Sequence, residues 1–237
     1  MPERLTDRIA ALDWTALQQT LDEQGYATIP TLLDKNECNE MISTYEKEVY
    51  FRNTIDMARF RFGIGEYKYY QAPLPDLVQQ LREGFYPQLA TTANRWLKQL
   101  DREEVYPALL SDFLVQCHKQ GQTRSTPLIL KYEAGGYNCL HQDLYGDVSF
   151  PFQVVFALSQ KEMDYTGGEF LLMEQRPRAQ SRGQVITLNQ GSGLIFPTNY
   201  RPVLGSRGYY KTTIRHGVST ITSGTRYTLG LIFHDAK

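Results

Sequence analysis

Apolar residues recur at helical spacing near the start of the chain, at Leu5, Ile9, Leu12, Ala16, Leu17 and Leu21. This pattern predicts one amphipathic helix over residues 4–24, with Gly25 as its stop. GYATIP then reads as a short strand. Asp34-Lys-Asn-Glu37 spells a capping box, in which the Asp34 carboxylate accepts from the first helical amides and Glu37 reaches back. A second helix is expected from there to about Tyr50. Pro73, Pro75, Pro87 and Pro107 punctuate the region that follows, predicting further helices over roughly Asp76–Gly84 and Tyr86–Asp101.

After Thr126 the texture changes to short β-type runs separated by Gly-rich turns: PLILKY, YNCLHQD, FQVVFALS, GGEFLLME, QVITL, GLIFP, YKTTIRHGVST and RYTLGLIF. Eight such runs behind a helical first half predict an α+β fold with a mainly β core. The expected architecture is a double-stranded β-helix, that is, a jelly-roll or cupin-like barrel with supporting N-terminal helices. Residues 1–124 are read as the helical part packed on the barrel and 125–237 as the barrel core, one structural unit, because no linker or repeat separates them.

The 237 residues suffice for a sizeable core. No apolar run approaches the roughly 20 residues of a membrane span, and the polar start MPERLTDRIA is unlike a signal peptide, so a cytoplasmic protein is expected. Three cysteines, Cys38, Cys117 and Cys139, show no C-x-x-C spacing and suggest neither disulfide nor zinc. Cys139 is expected to be a packing thiol beside His141. The formal charge of −1 hides an asymmetry: residues 175–234 hold eight Lys or Arg and no Asp or Glu. Such a stretch favours anionic ligands unless acids from the first half cover it. Arg176–Arg182 and Asn199–Tyr210 are expected as loops near the barrel mouth.

Chemistry concentrates in His141, Asp143, His216 and Arg226. On a strand, residues two apart share a face, so His141 and Asp143 point the same way. Two His and one carboxylate on one metal face leave coordination positions open for substrate and O₂, the arrangement of non-haem Fe(II) oxygenases. Arg226 suits a bidentate pair with the distal carboxylate of 2-oxoglutarate. If Thr222-Ser223-Gly224 is a three-residue hairpin loop with Gly224 left-handed, His216 and Arg226 share one sheet face. His118 and His234 show no partner pattern and are left out of the metal site.

On these residues the stretch 128–237 resembles 2-oxoglutarate/Fe(II) dioxygenases, and within them a bacterial group related to prolyl 4-hydroxylase catalytic domains that is also labelled as oxygenases acting on damaged DNA. Upstream stretches such as FRNTIDMARFRFGIGEYKYY and CHKQGQTRSTPL extend the likeness over most of the chain. The resemblance implies Fe(II) on His141, Asp143 and His216, with 2-oxoglutarate and O₂ as cosubstrates. It implies Arg226 and Thr228 as an R-x-[ST] grip on the distal carboxylate, with Tyr132 bonding the same group. Gly167-Gly168-Glu169 matches a turn-to-strand motif of the hydroxylase branch, which a hairpin turn would also explain. The presence of Asp143 disfavours the halogenase variant.

The implied reaction hydroxylates a C–H bond and releases succinate and CO₂. A protein side chain, as in prolyl hydroxylases, or a small molecule is the preferred substrate, and an alkylated nucleic acid undergoing oxidative demethylation is the alternative. A reading of another class is a non-catalytic cupin-like metal-binding or sensor barrel. Arg226 discriminates, since such a barrel has no need of a cosubstrate clamp.

Overall fold

The computed structural model describes residues 3–237. The first stretch is two helices, α1 (Leu5–Ala10) and α2 (Trp14–Gln24), where one was expected. Asp13 explains the break: its carboxylate accepts from Ala16 N at 2.9 Å and starts a new helix. Gly25 closes α2 in the left-handed conformation at φ 84°. β1 (Ala27–Ile29) follows, and then α3 (Lys35–Thr44), whose capping box is complete, with Glu37 N to Asp34 Oδ1 at 2.9 Å and Asp34 N to Glu37 Oε2 at 2.8 Å. It stops short of Tyr50. Thr44 Oγ bonds back to Met41 O and also meets the Tyr70 hydroxyl, ending the helix on the core.

Three strands then appear in a region read from sequence as helical: β2 (Phe51–Asp56), β3 (Gly63–Ile64) and β4 (Glu66–Tyr70). Next come α4 (Asp76–Gln99) and α5 (Leu110–Lys119). α4 is one helix running through Pro87, where two were expected. A proline removes one helical N–H and strains the preceding turn. Burial of Leu81, Phe85, Leu89, Ala93 and Trp96 along one stripe outweighs that penalty.

The second half supplies β5 (Leu128–Glu133), β6 (Tyr137–His141), β7 (Phe152–Ala157), β8 (Tyr165–Gly167), β9 (Phe170–Gln175), β10 (Arg182–Ile186), β11 (Gly193–Pro197), β12 (Tyr200–Gly205), β13 (Gly208–Val218) and β14 (Ile221–Ile232). All eight expected runs are strands, and β8 and β12 are additional. They form a jelly roll of two antiparallel sheets. The major sheet has the order β1-β11-β7-β14-β5-β4-β2, with β8 on β14. The minor sheet has the order β10-β9-β13-β6-β3, with β12 on β13. The first half therefore contributes strands to both sheets as well as helices.

The run FQVVFA of β7 is apolar almost throughout because both faces of the major sheet are covered. Phe152, Val154 and Phe156 turn outward to the helices, with Trp96–Phe152 and Phe85–Phe156 ring centroids 4.4 and 5.8 Å apart. Gln153 and Val155 turn inward and line the space between the sheets. Arg82 of α4 fixes the end of β14 to the helical layer by donating to Ile232 O and Phe233 O and pairing with Asp235 at 2.9 Å. No helix among the described residues is long and apolar enough to cross a membrane.

Candidate active site

A cavity of about 310 Å³ lies between the sheets. His141, Asp143 and His216 line one wall, and Tyr132, Arg226 and Thr228 also face the space. His141 and His216 are direct cross-strand partners on β6 and β13, so their rings stand side by side with centroids 4.2 Å apart. Asp143 lies just past the end of β6. Its Oδ2 is 3.1 Å from His216 Nε2, and its Oδ1 is 3.5 Å from His141 Nε2. One ligand atom from each of the three residues falls within 4.8 Å of the others, a spacing that fits a single metal ion.

The surrounding bonds aim these groups. Cys139 O lies 2.8 Å from His141 Nδ1, so Nδ1 carries a proton and holds the ring with Nε2 turned toward Asp143. His216 is clamped by rings, lying parallel to Phe170 at 5.8 Å and tilted against Phe196 at 4.8 Å. Gln142, between the first two candidate ligands, donates to both Asn199 O and Ile214 O at 2.8 Å and fastens the end of β6 to its neighbour.

Burial alone would raise the Asp143 pKa, but the hydrogen bonds from His141 and His216 overcome it and hold the carboxyl well below its ordinary value. Burial and the neighbouring His141 push His216 down, toward the neutral imidazole that can act as a ligand. For His141 burial also works downward, yet the Asp143 hydrogen bond and charge leave a net rise. The donor set is thus one carboxylate and two imidazoles sharing a single charge centre.

Arg226 comes from the opposite wall, and here the hairpin expectation fails. β13 and β14 belong to different sheets, joined by a short crossing at Ser219–Thr220, so His216 and Arg226 face one another across the interior rather than sharing a sheet face. Gly224 does have positive φ, 74°, but inside β14. There its ladder with β8 slips register, and an added Cβ would lie 2.0 Å from Asp164 O. Arg226 is directly opposite Tyr132 on β5 and only 4% exposed. Its Nε and Nη1 have no hydrogen-bond partner. A buried guanidinium with unsatisfied donors in a cavity matches an incoming carboxylate.

Tyr132 is fully buried, its ring 5.7 Å from the Arg226 guanidinium carbon and its hydroxyl accepting from Asn138 Nδ2 at 3.2 Å. The phenol proton stays free for another acceptor. Thr228 is buried one inward position further along β14. Gly167 and Gly168 do more than turn the chain. Both have positive φ, 71° and 64°, and an added Cβ on Gly168 would sit 2.3 Å from Ile221 Cδ1 and 3.0 Å from Arg226 Cδ. Glu169 beside them accepts from Ser219 Oγ at 2.5 Å and pairs with Lys161 at 2.9 Å, tying the start of β9 to the end of β13.

Several expectations do not meet at the cavity in the form given them. Cys139 lines it but is exposed rather than a buried packing thiol. Neither Arg176–Arg182 nor Asn199–Tyr210 lines it, and residues 200–205 are strand rather than loop. The outer rim is formed instead by Arg61 and Phe62 with Leu140. Part of the basic stretch serves structure: Arg201 and Arg176 share Glu174, and Arg201 lies over the C-terminal carbonyls of α2. His118 pairs with Asp235, away from the triad.

Sequence reading assigned no part in the metal site to three inward groups. Tyr145 donates its hydroxyl to Asp143 Oδ1 at 2.6 Å. Gln153 presents an amide nitrogen without a partner, although it is 5% exposed. Gln142 ties down the ligand strand as described. The parity of Gln153 in an apolar run was the available signal, since a polar residue amid FQVVFA needs a reason to be buried.

The chain matches a family model over residues 65–236, described as an oxygenase catalysing oxidative methylation of damaged DNA. Uncharacterized proteins of Mycobacterium tuberculosis strains H37Rv and CDC 1551 are each 54% identical over 167 residues, 70% of this chain and 72% of theirs. Among solved structures, a Pseudomonas putida prolyl-4-hydroxylase aligns with TM-score 0.58 at 13% identity, over 94% of this chain and 99% of the other. A Trichoplax adhaerens prolyl hydroxylase, solved with a peptide fragment of the hypoxia inducible factor oxygen degradation domain, aligns with TM-score 0.58 at 14% identity, over 99% and 94%. A Burkholderia pseudomallei oxidoreductase of the 2OG-Fe(II) oxygenase family aligns with TM-score 0.55 at 12% identity, over 95% and 93%. These likenesses concern the fold, while the family match covers most of the chain. With the His-Asp-His cluster and the arginine facing it in one cavity, the chain belongs to this oxygenase family, within the 2-oxoglutarate/Fe(II) oxygenase superfamily.

Proposed function

We propose that this enzyme is a 2-oxoglutarate- and Fe(II)-dependent dioxygenase in which His141 Nε2, Asp143 and His216 Nε2 hold the iron. Arg226 receives the distal carboxylate of 2-oxoglutarate, with Tyr132 and Thr228 beside it. Bound iron with 2-oxoglutarate and O₂ supplies the oxidising power: one oxygen atom goes to the substrate C–H bond as hydroxyl, the other to succinate, and CO₂ leaves. The protein's own part is to orient and exclude. Asp143 stays ionised as the anionic donor, the aromatic rings around His216 hold it in place, and Arg226 fixes the cosubstrate at its far end.

The observation that carries this reading is the pair of unpartnered Arg226 nitrogens, buried and facing the same cavity as the triad. A metal-binding barrel without a cosubstrate has no use for an uncompensated buried cation.

The substrate read first is a protein side chain or small molecule, because the cavity walls are mainly apolar beyond the triad and the clamp. Oxidative demethylation of an alkylated nucleic acid is the second reading. The description of the matched family favours it, as do Arg61 and the exposed Phe62 on the cavity lining, with the exposed Phe60 stacked on Phe62 at 5.6 Å. Anaerobic titration with Fe(II) and then 2-oxoglutarate tests the site. A succinate assay with candidate peptides and methylated oligonucleotides tests the substrate. Absence of 2-oxoglutarate binding to the iron-loaded protein would reject the reading, and oligonucleotide binding that is negligible even at low salt would remove the nucleic-acid alternative.

A further inference from the structure

We infer that Tyr145 is a positioning residue for the metal site: its phenol fixes Asp143 so that the carboxylate offers one oxygen, Oδ2, toward the ion. The inference rests on the proposed iron site and adds a group outside the His-Asp-His set.

The two carboxylate oxygens have different surroundings. Oδ2 is 3.1 Å from His216 Nε2 and takes no bond from the tyrosine. Oδ1 accepts the Tyr145 hydroxyl at 2.6 Å and stands further from its histidine, 3.5 Å from His141 Nε2. A short O–H···O⁻ bond is among the stronger contacts a carboxylate makes. It orients the group and engages the oxygen that would otherwise compete for a second coordination position. A bidentate carboxylate would occupy a place that a chelating cosubstrate needs.

Tyr145 is itself held on several sides. Its ring packs edge-on to Tyr69, at 6.2 Å and 90°, and lies 5.9 Å from His234. His234 is locked in turn, since its Nδ1 accepts from Phe150 N at 3.2 Å. The loop after Tyr145 is pinned by buried Gln122, which donates to Val148 O and accepts from Val148 N, both at 2.8 Å. At Gly146 an added Cβ would lie 2.3 Å from Gln122 Cδ, so the loop cannot drift off this support. A residue needed only to fill space would not require its hydroxyl to be aimed in this way.

The test uses the full chain and the metal alone. Tyr145→Phe keeps the ring and deletes the hydroxyl, and Tyr145 replaced by 4-aminophenylalanine restores a donor. Removing such a supporting hydrogen bond is expected to weaken Fe(II) binding about 10- to 100-fold. The Co(II)-loaded protein should show an altered d–d spectrum, because the freed carboxylate changes its mode of coordination. The 4-aminophenylalanine protein should recover most of both signals, while the thermal midpoint of the metal-free Phe variant stays near wild type. If Tyr145→Phe binds Fe(II) as tightly as wild type with an unchanged Co(II) spectrum, the inference is overturned. It is equally overturned if the donor-bearing variant folds and binds no better than the Phe variant. Should the Phe variant not fold, wild-type metal affinity and spectrum in the donor-bearing variant sustain the inference, and their loss overturns it. Wild-type protein that takes up no Fe(II), or His141→Ala that binds it normally, would instead reject the iron site.

Discussion

The two walls of the cavity solve opposite electrostatic problems. On the minor sheet, a short strand near the sheet edge carries His141 and leads to Asp143, and the Asp143 carboxylate stands between two imidazole Nε2 atoms, with only His216 Nδ1 left without a partner. On the major sheet, Arg226 stands on β14, flanked by β5 and β7, with two nitrogens left without partners. One wall holds its charges in a neutralising cluster that a cation can enter. The other keeps a cation buried and unpaired, an arrangement that an anion improves. On the proposed assignment, cofactor binding and cosubstrate binding are built on separate sheets and should be separable by mutation.

The largest expected effect lies on the minor-sheet wall. Asp143→Ala removes the anionic donor and should abolish tight Fe(II) binding, and His141→Ala should do the same, while far-UV circular dichroism remains that of the folded protein. Anaerobic Fe(II) titration is the measurement. Full iron affinity in both variants would end the assignment.

Next in size is the major-sheet wall. Arg226→Ala strips a buried, bidentate, charge-assisted contact and should cost about 3–5 kcal/mol. That corresponds to roughly two to four orders of magnitude in 2-oxoglutarate affinity. Arg226→Lys should recover only part of it, because an ammonium lacks the planar fork. Iron affinity without cosubstrate should barely move. Calorimetry or the anaerobic metal-to-ligand charge-transfer band reads the result, and equal 2-oxoglutarate binding by Arg226→Ala would show that the walls do not divide the labour as described.

A smaller, mixed effect is expected at Gly168. An alanine there meets Ile221 at 2.3 Å and Arg226 at 3.0 Å and must hold a φ of 64°. Strain of this kind costs about 1–3 kcal/mol, so chemical denaturation should reveal a loss of stability in that range. Because the flexible neighbour is the Arg226 side chain, 2-oxoglutarate affinity should fall about 10-fold with iron affinity intact. A loss of iron affinity instead would mean that the glycine pair serves the minor-sheet wall.

The second half of the fold was legible because its strands are apolar on schedule and bounded by Gly-rich turns, and all eight runs paired as strands. The His141–Asp143 pair was legible for a local reason: an H-x-D spacing in extended chain turns both side chains the same way, even though Asp143 lies just past the end of β6. The route from His216 to Arg226 was not. Both residues face inward, but the chain crosses between sheets at Ser219–Thr220, and no pattern of apolar residues distinguishes that crossing from a hairpin. β2 to β4 were missed because FRNTID is half-exposed and mostly polar, lying at the sheet edge. Pro87 misled for the converse reason, since tertiary burial of α4 overrode a local breaker. Tyr145 could not be assigned from sequence, as its role depends on one hydroxyl meeting one carboxylate oxygen across a loop.

The smallest predicted effect tests the link between the start of β9 and the end of β13, Glu169 with Ser219 and Lys161. The Ser219 hydrogen bond and then Lys161 pull the Glu169 carboxyl down to about 2, from an ordinary 4.5. A group whose folded-state pKa is depressed contributes stability that is fully present above the unfolded value and is lost as pH falls toward the folded one. The window is therefore between pH 4.5 and about 2. About a quarter of the side chain is exposed, so solvent screens the pair, and the contribution is expected to be about 0.5–1 kcal/mol at neutral pH. Urea unfolding of wild type and Glu169→Gln at pH 7, 4 and 3 measures it, because carboxylates common to both proteins cancel in the difference. Wild type should be the more stable at pH 7, with the gap narrowing as the solution is acidified. A gap that stays constant across these pH values would show that Glu169 holds the start of β9 to the end of β13 by shape alone, and that the junction carries no charge-dependent link.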